Sequence, residues 1–280
     1  MEPFIGSEAI ANGTLTRGQL RWNYRAIHPN VYVAKDQRTT FPDRTVAAWL
    51  WTGRMAVVAG RAAAYVHGVH RVTDATPIEL IGRHTRRRAG IVMREERLDD
   101  DEILGRDAMR VTTPERTAVD LGRHLPRDVA VELLDVLART ACLTGVDLDP
   151  LLERHRGARG ISAARVALGL MDAGSQCPEE TRMRLLLNDF GLPRPRTDII
   201  VSDGRQFARI GMGWDDVELG VSFLPPDSTG VAAAIQALSR HEMVQRIGWT
   251  EVGFASLSQG RRIACRVRDE LRRRRRRRPV

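Results

Sequence analysis

The chain has 280 residues, of which 42% are hydrophobic and 28% charged, and it carries a formal net charge of +9. That is the composition of an ordinary soluble globular protein with room for two or three domains. No apolar run approaches the roughly 18 residues of a membrane span, and the first residues lack the basic and apolar regions of a signal peptide. Three widely spaced cysteines (Cys142, Cys177, Cys265) offer no Cys-x-x-Cys zinc pair. Together these features predict a cytoplasmic protein with no membrane partner.

Ser7-Glu-Ala-Ile-Ala reads as a helix ended by Gly13. A second helix opens in Thr14-Leu-Thr-Arg-Gly-Gln-Leu-Arg, with Thr16 as its N-cap. Tyr24-Arg-Ala-Ile-His-Pro-Asn-Val-Tyr-Val alternates around Pro29-Asn30, which predicts a strand pair. Two short helices and such a wing predict a winged helix-turn-helix-like N-terminus over 1–70.

Pro77-Ile-Glu-Leu-Ile and Gly90-Ile-Val-Met-Arg-Glu read as strands, with the basic stretch 83–88 as a hairpin loop between them. In Val111-Thr-Thr-Pro-Glu-Arg-Thr-Ala-Val-Asp-Leu, Thr113 caps a helix, Pro114 takes its first position and Glu115 sits near the positive dipole end. Ala118, Leu121 and Leu125 follow at helical spacing. Pro126 starts another helix, whose Val129, Val131, Leu133, Leu134 and Leu137 predict burial on more than one side. Gly157 and Gly160 mark a turn before a helix over 161–170, and Gly174-Ser175-Gln176 is the expected linker. His67 and His70 follow an Ala-rich helix without further metal ligands nearby.

The remainder reads α-β-β-β-α-β, with a closing helix that carries Ile263, Val267 and Leu271 at i, i+4 and i+8. The expected class is therefore α/β, more closely α+β and multi-domain. The expected divisions are 1–70, a mixed α/β and helical middle over 71–172, a domain over 173–271 and an Arg-rich tail over 272–280.

These stretches carry two resemblances. Leu-Thr-Arg-x-x-Leu-Arg over 15–21, Arg-Ala-x-x-Pro-x-Val-Tyr-Val over 25–33, Val58-Ala-Gly-Arg-Ala-Ala-Ala-Tyr-Val-His-Gly and the string from Val111 resemble the N-terminal half of AbiEi-type antitoxins of type IV toxin–antitoxin systems. The second set is Pro178-Glu-Glu-Thr-Arg-Met-Arg-Leu-Leu-Leu, Gly191-Leu-Pro-Arg-Pro, Ala208-Arg-Ile-Gly-Met-Gly-Trp, Leu219-Gly-Val-Ser-Phe and Ile247-Gly-Trp-Thr-Glu-Val. It resembles the short-patch-repair-like PD-(D/E)XK endonucleases, with a restriction-endonuclease-like core. The combination resembles an actinobacterial protein of that two-part build.

The second resemblance implies Asp at position 211 and Glu at 222, where this chain has Gly211 and Ser222. A hairpin centred on Asp215 and Asp216 would set Gly211 opposite Gly220, with Ser222 on the same face. Carboxylates there would converge on one Mg²⁺ and activate a water. Glycine supplies no ligand and a serine hydroxyl only a poor one. Glu180 matches the family's helix glutamate, and alone it cannot hold a divalent cation; a helix-surface role is its other reading. Asp215, Asp216 and Glu218 read as turn and solvent-face acids, Asp227 as a loop residue and His241 as a polar-face histidine.

The expected function is a non-catalytic DNA-binding protein, a transcriptional regulator or antitoxin-like, with a pseudo-nuclease C-terminal domain and no cofactor. One alternative is an active Mg²⁺-dependent endonuclease with displaced ligands. Another is a type IV antitoxin that neutralises a nucleotidyltransferase toxin. The candidate DNA-binding residues are Arg17, Arg21 and Arg25 around the second helix and wing, Arg86, Arg87 and Arg88 in the basic loop, and Arg272, Arg273 and Arg274 in the tail. The arginines of 272–278 supply seven of the nine net charges. Two readings stand for them: phosphate neutralisation, or a solvated extension of the last helix.

Overall fold

The computed structural model of the chain describes residues 2–83, 87–224 and 231–277, with the backbone alone for 231–237 and 277. The chain is a mixed α/β protein of two compact units, one formed by 1–125 with 140–168 and the other by 126–139 with 169–280. Among the described residues no helix is long and apolar enough to cross a membrane.

The first unit opens with β1 (Phe4–Ile5), α1 (Gly6–Ala11), α2 (Arg17–Asn23) and the hairpin of β2 (Tyr24–His28) and β3 (Val31–Ala34). The strands form an antiparallel sheet in the order β1-β3-β2. Thr16 caps α2: its hydroxyl accepts from the Gln19 N–H at 3.2 Å, and the Gln19 carboxamide accepts from the Thr16 N–H at 2.8 Å. Asn30 takes the left-handed turn position, φ 62°, and its Oδ1 accepts from the Ser7 N–H at 3.0 Å. The hairpin is thereby tied to α1.

Next come α3 (Phe41–Trp51), β4 (Val57–Ala59), α4 (Gly60–Val66), β5 (Ile78–Ile81), β6 (Ile91–Arg94), β7 (Ile103–Arg106), β8 (Met109–Thr112) and α5 (Pro114–His124). The five strands form one sheet in the order β6-β5-β4-β8-β7. Because β4 sits between β5 and β8, the expected division at 70/71 falls inside a sheet. The pairing of β5 with β6 is parallel, Ile78 against Ile91. β5 and β6 are therefore not the two arms of a hairpin, and 84–86 of the basic stretch lie outside the described residues. Gly60 is needed where β4 meets α4: its φ is +55°, and an added Cβ would lie 1.7 Å from Glu79 Oε2. Glu79 is itself buried and paired with Arg61 at 2.8 Å.

The string from Val111 encodes an internal ion network. Thr113 accepts from the Arg116 N–H at 3.2 Å and Pro114 opens α5, as expected. The Arg116 guanidinium is fully buried, at 2.9 Å from Glu96, 2.5 Å from Glu102 and 3.0 Å from Asp120. Burial opposes ionisation of Glu96, but hydrogen bonds from His124 and Arg123 outweigh it and lower its pKa to about 2. The network joins α5 to the segment 95–102.

α6 (Arg127–Ala141) contributes 127–139 to the second unit, and α7 (Gly145–Arg154) and α8 (Ile161–Gly169) follow. Val131, Leu133, Leu134 and Leu137 are buried, but Val129 is 45% exposed, so α6 is less enclosed than its sequence predicts. Asp135 explains why 127–139 join the second unit. It accepts from Arg184 Nη2, Thr181 Oγ1 and the Asp172 N–H, each at 2.7 Å.

The second unit continues with α9 (Pro178–Asp189), β9 (Arg196–Ser202), β10 (Phe207–Trp214), β11 (Leu219–Phe223), α10 (Val231–Arg246), β12 (Thr250–Phe254) and α11 (Gly260–Arg277). This is the expected element order. The sheet runs β12-β11-β10-β9, antiparallel except for β11 with β12. Met183 and Leu187 of α9 and Ala264, Val267 and Leu271 of α11 pack with Met212, Trp214, Leu219 and Val221. The 174–176 stretch is no linker. Ser175 is buried and its carbonyl accepts from Arg139, while an added Cβ on Gly174 would strike Thr197.

Candidate functional site

The place where the missing carboxylates would meet is formed by α9, β10, β11 and β12. Met212 pairs with Val221 and Gly213 with Gly220, so the register sets Gly211 opposite Ser222, not opposite Gly220. The Gly211 N–H donates to Ser222 Oγ at 3.3 Å. The two-residue difference comes from the turn. Asp215–Val217 forms a short 3₁₀ helix and Glu218 takes a left-handed conformation, φ 50°, which lengthens the connection. Side chains at 211 and 222 are thus direct cross-strand neighbours.

Two carboxylates survive beside this spot, and both are claimed by arginine. Glu180 is buried, which corrects the helix-surface reading. An added Cβ on Gly211 would lie 2.9 Å from Glu180 Oε1. Arg209 donates to both Glu180 oxygens, at 2.7 and 2.8 Å, and to Asp198 at 2.6 Å. The second carboxylate is Glu251, which accepts from the Ser222 hydroxyl. Arg240 grips it at 2.5 Å to Oε2 and 2.8 Å to Oε1, and also donates to the Arg209 carbonyl at 2.6 Å. Hydrogen bonds donated to Glu180 and to Glu251 raise the pKa of Arg209 and Arg240 respectively, against the opposing effect of burial.

A Mg²⁺ ion needs several oxygen ligands with negative charge still to spare. Here each carboxylate oxygen of Glu180 and Glu251 already accepts a charge-assisted hydrogen bond. The residues present do not fit a divalent cation; the two guanidiniums supply the positive charge in its stead. Asp215 and Asp216 turn elsewhere, to Arg196 at 2.9 Å and Arg275 at 3.8 Å. In the first unit two acidic groups cluster closely, Glu96–Asp120–His124 and Asp99–Asp101–Glu102. Arg116, Arg123 and Arg154 thread both, so neither is left open to a cation. His67 is bonded to the Thr112 carbonyl at 2.7 Å and His70 packs on Tyr65. His241 is exposed and shares a hydrogen bond with Gln245.

The arginines expected at a nucleic-acid surface divide into two kinds. Arg17 and Arg21 on α2 are exposed and make no ion pair among the described residues, and Trp22 beside them is 73% exposed. Arg25 is instead half-buried and tethers the hairpin, donating to the Gln37 carbonyl at 2.9 Å and Thr39 at 3.3 Å. Arg87 and Arg88 are exposed; Arg86 lies outside the described residues, as does Asp227. α11 continues through Arg277, so positions 272–277 extend a packed helix. Arg272 is exposed and Arg273 pairs with Glu270 at 3.3 Å. Arg274 is drawn inward. It donates to the carbonyls of Val217, Glu218 and Gly248 at 2.8 to 3.1 Å and to the Thr250 hydroxyl. Its role in this structure is to lock α11 onto the sheet, which corrects its expected place among the phosphate contacts.

Arg209, Arg240 and Glu251 were not singled out from the sequence. Arg209 had a signal, since it lies two residues before Gly211 on one strand and shares its face. Glu251 and Arg240 had none, because their meeting depends on how α10 returns to β12.

Two proteins of Mycobacterium tuberculosis, one from each of two strains, are similar to this chain. Each is 30% identical over 165 residues, which cover 57% of this chain and 61% of theirs, and each is described as uncharacterized. The chain thus spans about three-fifths of the length of the curated relatives it matches. No family model matches the chain.

Proposed function

We propose that this chain is a non-catalytic, cytoplasmic DNA-binding protein, a transcriptional regulator or antitoxin-like. In this reading α1, α2 and the β2–β3 hairpin act as a winged helix-turn-helix, and the second unit is a nuclease-like domain without its chemistry. The observation that carries the DNA-binding reading is the pair Arg17 and Arg21. Both stand exposed and without counter-ions among the described residues, on a helix fixed by a capping box and braced by a hairpin. Such a helix can lie in a major groove and donate to base edges and phosphates. The test is a binding titration on genomic fragments at several salt concentrations. A fragment bound far more tightly than bulk DNA, with affinity falling as salt rises, is the expected result. Uniform or absent binding would exclude the reading.

One observation favours a second reading, an endonuclease with displaced ligands. Two buried carboxylates, Glu180 and Glu251, lie on either side of the Gly211–Ser222 pair. Metal binding there would require Arg209 and Arg240 to release them. Divalent-dependent nicking that is lost in Glu180→Ala or Glu251→Ala would establish it.

A further inference from the structure

The first unit contains a cavity of 440 Å³ beside the turn end of β2. His28, Thr39, Arg44, Arg87, Arg88 and Gly90 are among its lining residues. None of the lining residues is acidic. Elsewhere in this chain several buried or half-buried arginines are matched by carboxylates, among them Arg116, Arg209 and Arg240. Arg44, Arg87 and Arg88 have no carboxylate partner among the described residues. Arg44 is oriented by the carbonyls of Asp74 and Thr76, at 2.5 and 3.0 Å, which fix the guanidinium without neutralising it. Among the described residues the Arg88 side chain reaches only the Ile27 carbonyl, at 3.4 Å.

A second feature points the same way. His28, at the end of β2, is 8% exposed, yet its Nδ1 is buried and has no hydrogen-bond partner. An unpartnered buried nitrogen is costly, and His28 is one of the residues that line the cavity with the three arginines. Burial, with Arg88 and Arg44 nearby, lowers the pKa of His28 to about 4. The ring is therefore neutral at pH 7, and its Nδ1–H tautomer would be a donor toward an anion. The Thr39 hydroxyl, which accepts from Arg25, is a further polar group on the wall.

We infer that this cavity binds a phosphate group, held by Arg44, Arg87 and Arg88 and hydrogen-bonded by His28 Nδ1. A phosphate oxyanion supplies the negative charge and the acceptor oxygens that these groups lack, and guanidinium geometry matches it in two-point contacts. The cavity has the size of small-ligand sites, about 300–1,000 Å³. The phosphate can come from the backbone of bound DNA or from a free phosphorylated small molecule. The inference rests on the DNA-binding reading only for that choice of source.

The test follows the His28 ring signals of the full chain by NMR during titration with inorganic pyrophosphate. The expected result is a saturable shift whose midpoint rises at least tenfold in Arg87→Ala and which disappears in Arg87→Ala/Arg88→Ala. Arg87 makes no described contact, so the single variant keeps the fold. A shift that never saturates, or that is the same in Arg87→Ala, would overturn the inference. The same proteins are then titrated with duplex DNA. Pyrophosphate displacing the DNA, with at least tenfold weaker DNA binding in Arg87→Ala, identifies a backbone phosphate. Unchanged DNA binding beside a saturable pyrophosphate site identifies a free phosphorylated ligand. Wild-type protein that binds pyrophosphate but no DNA removes the DNA-binding reading and leaves the phosphate site standing.

Discussion

Replacing Arg240 by alanine leaves Glu251 as a buried carboxylate with the Ser222 hydroxyl as its remaining side-chain partner among the described residues. The Glu251 side chain is 6% exposed and that of Arg240 is 32% exposed. Breaking a fully buried pair costs about 3–5 kcal/mol. Solvent reaching through the partly open Arg240 position screens the orphaned charge, so the expected loss is about 2–3 kcal/mol. Urea unfolding of Arg240→Ala at pH 7 measures this, and Arg240→Ala/Glu251→Gln, which removes the orphaned charge, should recover most of the loss. A loss under about 0.5 kcal/mol, or no recovery in the double variant, would mean that the guanidinium does not neutralise this site.

Arg17→Ala and Arg21→Ala should each weaken specific DNA binding by about 1–3 kcal/mol where a base is read bidentately, with unchanged thermal unfolding; wild-type affinity in both would show that α2 is not the reader. In the Arg-rich helix, Arg272→Ala/Arg276→Ala should lower non-specific DNA affinity and flatten its salt slope. Arg274→Ala should lower the unfolding temperature instead, because it removes the bonds to Val217, Glu218 and Gly248; identical behaviour of the two variants would contradict that division. His28 has its folded pKa depressed from 6.5 to about 4, first by burial and then by Arg88 and Arg44. The unfolded chain therefore binds more protons between those values, and stability contributed by neutral His28 is present above pH 6.5 and lost as pH falls through about 4. Urea midpoints of His28→Asn should decline less steeply than wild type over that window, and parallel curves would rule out a buried neutral ring.

What could be read from the sequence was what local chemistry specifies. The Thr16 cap, the Pro29-Asn30 turn, the Thr113-Pro114 helix start and the i, i+4, i+8 stripe of α11 each depend on a few neighbouring residues, and each is present. α7 was missed because Pro150 sits inside it, and α3 because its apolar residues run together without a helical period. β4, β7 and β8 are only three or four residues long, too short to show alternation. The candidate site was half legible. Gly211 and Ser222 were found as a pair, but their register turned on the backbone of 215–218, where Glu218 adopts a conformation that composition does not reveal. The arginine closure was hidden because Glu251 lies 29 residues from Ser222, and Arg240 lies 31 residues from Arg209, whose carbonyl it holds.

The most direct measurement is a supercoiled-plasmid assay that scores binding and nicking in the same samples, in EDTA and in Mn²⁺. Salt-sensitive binding that persists in EDTA, with no nicking in Mn²⁺, is the expected result. Mn²⁺-dependent nicking by wild-type protein that vanishes in Glu180→Ala or Glu251→Ala would contradict a non-catalytic role and show that Arg209 and Arg240 can yield to a metal.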